Sequence, residues 1–163
     1  MHLRITAGAF LVCGSKVLLM KRGLHKELGP GLWAGLGGHL DFNDIDDPRA
    51  INLIEICYRE VREEAGIVKS DIRNLKLRYI AIRKDGDEVR LHHHYIGEID
   101  NEIILPKCDE GELFWIDMHD INGLPMSASV KVAINHWVNN PNNNGVYLVA
   151  VNPAGDSAVI SEI

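Results

Sequence analysis

Along most of the chain apolar residues come in short runs with strand character, and twice they change to the rhythm of a helix. Residues 4–12 and 16–22 are apolar runs separated by Cys13-Gly14-Ser15, which predicts a hairpin leading to the basic pair Lys21-Arg22. Gly29, Gly31, Gly35, Gly37 and Gly38 around Trp33 make the next segment too permissive for a helix and suit it to close backbone approach. Asp46-Asp47-Pro48 then supplies a helix start, with Asp as N-cap and Pro at the first helical position. In that helix Ile51, Ile54, Tyr58, Val61 and Ala65 recur at spacings of 3, 4, 3 and 4, forming a core face that stops at Gly66. Two strands follow, about 74–83 and 88–99, turning at Asp85-Gly86. A strand near 112–116, a second helix over roughly 127–139 and a last strand at 145–151 complete the order. Strands with two helices set among them predict an α+β fold, a mixed sheet with a helix on each side.

Opposite the core face of the first helix, Glu60, Glu63 and Glu64 stand at i, i+3 and i+4, so three carboxylates project from one side, outside the core, within about one turn. Like charges at that spacing repel. A solvated outer face has this periodicity, and so does a set of hard oxygen ligands whose repulsion is relieved by a bound divalent cation such as Mg²⁺. Periodicity leaves both readings open.

Composition narrows the partners. With 163 residues, 46% hydrophobic and 25% charged, the chain has the material for a full core, and a single domain over residues 1–163 is expected. A net charge of −6 opposes broad binding of duplex nucleic acid, which needs Lys and Arg to displace counterions from phosphates. No apolar run reaches the length of a membrane span, and MHLRITAGAF lacks the order of a signal peptide, so a cytoplasmic location is expected. Cys13, Cys57 and Cys108 are odd in number and widely separated, which predicts reduced, mostly buried thiols. In His92-His93-His94, strand alternation sends His93 to the face opposite the other two, which argues against a zinc tract.

Two stretches read together, Gly38-His39-Leu40-Asp41-Phe42-Asn43-Asp44 and Arg59-Glu60-Val61-Arg62-Glu63-Glu64-Ala65-Gly66-Ile67, resemble the Nudix box, G-x5-E-x7-R-E-U-x-E-E-x-G-U with U apolar. The second stretch matches at every specified position. Trp33 through Leu40 is similar to the usual lead-in, and the hairpins and the Glu112-Leu113-Phe114-Trp115-Ile116 strand fall in the family's order over most of residues 3–138. There are two departures: Asp44 stands where the box has its first Glu, and 14 residues, 45–58, separate it from Arg59 where the family has 7. Seven extra residues are close to two helical turns, so extending the helix at its start, near Pro48, changes its phase by only about 20°. Leu53 and Ile56 then share the azimuth of the glutamates and need cover, with residues 44–47 as the candidates.

The resemblance implies a Nudix-like α/β/α sandwich and hydrolysis of a nucleoside diphosphate linked to a group X, with Mg²⁺ or Mn²⁺ held by the box glutamates. By motif position Glu60, Glu63 and Glu64 are implied as catalytic and metal-ligating carboxylates, with Gly38 offering a carbonyl and Glu110, five residues before Trp115, chosen over Glu112 as a further ligand. Plain solvation of Glu110 in its polar turn is the alternative. Asp44 and Arg59 correspond to the pair that braces the loop against the helix. Arg22 stands where relatives often contact a phosphate, and Trp33 is a candidate for lining a base pocket; a surface cation and a core Trp are the alternatives. The implied partner is a small nucleotide. A (d)NTP comes first, as in MutT-type enzymes that remove oxidised purine nucleotides; ADP-ribose or nucleotide-sugar hydrolysis, and a catalytically weak nucleotide-binding regulatory module, are the alternatives. Family members are often dimers, so a homodimer lies within what the resemblance implies.

Overall fold

The first strand is apolar on both faces, and this makes it the centre of a sheet covered on two sides. In a computed structural model, which describes residues 1–41 and 51–163, β1 (His2–Cys13) pairs in parallel with β6 (Glu88–Glu98) along nearly its whole length. Its other edge is shared. β4 (Leu36–His39) pairs antiparallel with Thr6–Ala9, and β2 (Lys16–Arg22) with Leu11–Cys13. β3 (Trp33–Ala34) and β7 (Gly111–Asp117) attach to β2, while β5 (Arg73–Asp85) pairs antiparallel with β6. β8 (Tyr147–Val151) joins β5 in parallel, and β9 (Ala158–Glu162) lies antiparallel at the edge.

Strand alternation then divides the apolar residues between two cores. Ala7, Ala9 and Leu11 of β1, with Leu18 and Met20 of β2, pack under α1 (Leu53–Ala65), which contributes Ile56, Cys57, Val61 and Ala65. Phe10, Val17 and Leu19 face the other way, toward Val130, Ala133, Ile134 and Trp137 of α2 (Ala128–Asn139). Each fully buried Leu or Phe stabilises the sandwich by about 1.5–3 kcal/mol. The α+β expectation, a mixed sheet with a helix on each face, is what the chain forms.

The start of α1 differs from the expected one. Asp46-Asp47-Pro48 and Asp44 lie among residues 42–50, outside the described residues, but Ile51 and Asn52 are described and precede the helix. Asn52 is extended (φ −117°, ψ 94°), and its side-chain oxygen accepts from the Ile54 N–H at 3.3 Å. That N-cap fixes the first helical residue as Leu53, so α1 is not extended continuously back to Pro48. Ile51, assigned to the core face, is 40% exposed, whereas Ile56, on the acidic azimuth, is buried. The C-terminus is as expected: Gly66 takes φ 71° and returns its N–H to the Arg62 carbonyl at 2.9 Å. β9 was not expected from the sequence. Its signal is the turn Asn152-Pro153-Ala154-Gly155-Asp156, where the Asn152 side chain accepts from the Gly155 and Asp156 N–H groups at 2.9 and 3.1 Å. No described helix is long and apolar enough to cross a membrane.

Candidate functional site

Gly37 and Gly38 let α1 come down onto β4. A Cβ on Gly38 would stand 2.6 Å from Glu60 Oε2 and closer still to the rest of that carboxyl; one on Gly37 would stand 2.5 Å from the Gly8 Cα. In the space so left, the Gly37 N–H donates to Glu64 Oε2 at 3.1 Å. Glu60 and Glu64, one turn apart, therefore lie against the Gly37-Gly38 backbone, and Glu63 stands exposed beside them. Arg59 Nη2 donates to Glu60 Oε1 at 2.8 Å and to the His39 carbonyl at 3.4 Å, so it ties the helix to the end of β4. Its expected partner Asp44 is outside the described residues.

Glu64 corrects one expectation: it is not an exterior residue but only 7% exposed. Its azimuth borders the core side of α1, and the close approach of β4 covers it. Burial first, and then the Glu60 charge, push its carboxyl up to about 8, while the Gly37 N–H pulls the other way and Glu110 adds to the rise. Glu110 itself is held below the usual carboxylate range, chiefly by its ion pair with Lys26.

These groups line one cleft of about 1020 Å³, which brings together Arg22, Gly38, Arg59, Glu60, Glu63, Glu64 and Glu110. Glu112 does not line it. Arg22 donates through Nε to the Leu28 carbonyl at 2.9 Å, which fixes its stem at the wall. A second cleft of about 450 Å³ shares Arg22, Gly37 and Gly38 with the first and carries Trp33. The Trp33 ring, half-buried, packs tilted against Phe114 with centroids 5.1 Å apart and also lines this cleft. The second cleft was not legible in the sequence, because it gathers Thr6, Ala81, Arg83, His92 and Ser127 from β1, β5, β6 and the start of α2.

The histidine run alternates as expected. The His92 and His94 rings lie tilted to one another with centroids 4.2 Å apart, His92 lies 2.6 Å from Thr6 Oγ1, and His93 is 3.3 Å from the Thr6 carbonyl. Burial pushes the His92 imidazole down to about 4, so it is neutral near pH 7. Cys57 is buried, while Cys13 and Cys108 are half-buried; all three are free thiols.

Among the described residues no three His, Cys, Asp or Glu side chains already converge as a metal cage. The donor set nevertheless fits a hard divalent cation. Glu64 is buried beside a second carboxylate, and such a pair needs either a proton or a cation to offset its repulsion.

The fold and the glutamate-lined cleft define a Nudix hydrolase. The NUDIX domain profile matches residues 2–138, and the chain belongs to that family. Family members generally use divalent metals. No curated protein matches the chain. Among solved structures, a MutT protein from Bacillus halodurans is 19% identical, with 97% of each chain covered and a TM-score of 0.69. The NUDIX domain of Shewanella oneidensis NrtR, complexed with ADP ribose, is 18% identical over 87% of this chain and 90% of that one, with a TM-score of 0.68. A C. elegans Ap4A hydrolase is 15% identical over 82% and 94%, with a TM-score of 0.64. At these identities the likeness is one of fold.

Proposed function

We propose that the chain hydrolyses a nucleoside diphosphate linked to X, first of all a (d)NTP, to a nucleoside monophosphate and pyrophosphate. The observation that carries this reading is the pair Glu60 and Glu64 laid against Gly37-Gly38 in a cleft that also holds Glu63, Glu110 and Arg22. Glu60, Glu63, Glu64 and Glu110, with the Gly38 carbonyl, are the residues to hold Mg²⁺ or Mn²⁺. Such a cation supplies neutralisation of the charge that develops on the phosphate oxygens and acidifies a water.

The chain's own groups do the rest. Arg22 and Lys26, on the cleft wall, bind phosphate oxygens and orient the chain of phosphates. Arg59 holds Glu60 in place. Glu64, ionised where a cation would offset its repulsion with Glu60, takes the proton of the attacking water as the new P–O bond forms. The bond to the bridging oxygen breaks and its electron pair leaves with pyrophosphate. A preference for oxidised purines rests on the box resemblance and on no base-reading residue of the cleft. A second reading, ADP-ribose or a nucleotide sugar, is favoured by the room for an X group in the confluent second cleft.

Glu63→Gln and Glu64→Gln test the site. Each should lower turnover by roughly 10²-fold or more, with native far-UV dichroism and weakened calorimetric binding of Mg²⁺. Variants that bind Mg²⁺ and turn over like the parent contradict the assignment.

A further inference from the structure

The second cleft contains a cation that hydrolysis at the first does not use. Arg83 and Arg90 both line it, and they share Asp85. Arg90 reaches Asp85 at 3.2 Å and is also paired with Glu88. Arg83 reaches Asp85 only at 3.7 Å, and its Nε is buried with no hydrogen-bond partner. A guanidinium engaged this weakly keeps donor capacity for a ligand. The Arg83 side chain is about one-third exposed and lines the cleft.

What holds that guanidinium is the C-terminal hairpin. A Cβ on Gly155, in the turn between β8 and β9, would stand 2.6 Å from Arg83 Cζ, so the bare glycine backbone is seated directly on the charged group. The family match ends at residue 138, and this hairpin lies beyond it. The start of α2 enters the same cleft through Ser127 and Ser129, and the Ser127 side chain makes no cap to the helix. The first turn of α2 therefore borders the cleft without a side-chain cap, and a helix N-terminus favours an anion. Trp33, Leu32 and Ile82 give part of the wall an apolar character, which strengthens a charge interaction beside them.

We propose that Arg83, seated on the β8–β9 turn, anchors a subsite for an anionic group, a phosphate or a carboxylate, that the substrate carries in addition to its scissile diphosphate. A planar guanidinium grips either group through two parallel N–H donors. The inference rests on the reading of the first cleft as the hydrolytic site. It holds for either substrate class, because the nucleoside or X can carry the group.

Matched ligands test it by binding, in the Glu64→Gln background with millimolar Mg²⁺ so that turnover does not intervene. One pair is ADP-ribose and ADP-ribose 2′-phosphate; the other is UDP-glucose and UDP-glucuronate. Calorimetry should find the more anionic member of at least one pair bound about 10-fold tighter. Preference in the first pair assigns a phosphate on the nucleoside, and in the second a carboxylate on X. Adding Arg83→Met should erase the preference and leave the plain member's affinity unchanged, while Arg83→Lys should keep part of it. Equal affinity within both pairs, or a preference that Arg83→Met leaves intact, overturns the subsite. If Arg83→Met melts early, the parent and Arg83→Lys comparison decides. A protein that hydrolyses nucleotides without any pair preference keeps the hydrolytic reading and loses the subsite; pair preference without hydrolysis of any nucleotide does the reverse.

Discussion

Gly38→Ala is the substitution whose effect can be worked most directly from the geometry. Gly38 has no unusual backbone angle, so alanine is conformationally acceptable there, but its Cβ would lie 2.6 Å from Glu60 Oε2 and closer to Glu60 Oε1. Ordinary contact needs roughly 3.4 Å or more, so the carboxyl must retreat by about 1 Å; it sits at the far end of a flexible side chain and can do so cheaply. A displacement of that size at a reacting centre costs about 10²-fold in rate, whereas the fold should lose about 1 kcal/mol or less. Gly37→Ala is the contrast. There the new Cβ meets the backbone of Ala7 and Gly8, which cannot move without separating β4 from β1. Gly37→Ala should therefore lose several degrees of melting temperature, and Gly38→Ala should lose turnover with its melting temperature nearly kept. The two assays are a thermal melt and product formation on the best substrate found. A Gly38→Ala protein with parental kcat would refute the placement of Glu60 at the reacting centre.

Three further outcomes are expected. The Glu64 carboxyl, raised to about 8 by burial and Glu60, keeps a proton in the folded chain that the unfolded chain releases near pH 4.5, so this group's contribution to stability falls as pH rises from about 4.5 through 8. Metal-free Glu64→Gln should consequently gain stability over the parent with rising pH, by a few kcal/mol at most; paired melts in EDTA from pH 5 to 8.5 that show a constant difference would count against it. Asn52→Ala removes the cap on α1 and should cost about 1 kcal/mol in urea unfolding, and an unchanged midpoint would put the helix start elsewhere. Glu63→Gln, at an exposed position, should leave the urea midpoint unchanged while turnover drops; a shifted midpoint would make Glu63 structural.

The sequence exposed those parts of the fold that are written locally. The hairpin of β1 and β2, the Asp85-Gly86 turn, the Gly66 stop and the second helix each have a signal within a few residues, and all are formed. Asp46-Asp47-Pro48 is a strong cap pattern in the sequence, but Asn52 offers a cap nearer the body of α1 and is the one that starts it. Glu64 shows what a helical wheel omits. The wheel places a side chain around its own axis but does not say how closely a neighbouring strand approaches, and here two glycines on β4 bring that strand near enough to bury the carboxylate. Glu60 and Glu64 were legible as neighbours of Gly37-Gly38 through the box resemblance, not through spacing. The second cleft had no local signal, since Arg83, His92 and Gly155 meet only through β5, β6 and β8 pairing.

The central claim is that the carboxylate cleft turns nucleotides over. It is tested most directly by incubating the purified chain with a panel of nucleoside triphosphates, ADP-ribose and nucleotide sugars, with millimolar Mg²⁺, with Mn²⁺ and with EDTA, and separating the products by chromatography. Metal-dependent release of a nucleoside monophosphate, accompanied by pyrophosphate when the substrate is a triphosphate, is the expected result. Tight nucleotide binding with no product from any of them, under either metal, would contradict it and make the chain a binding module.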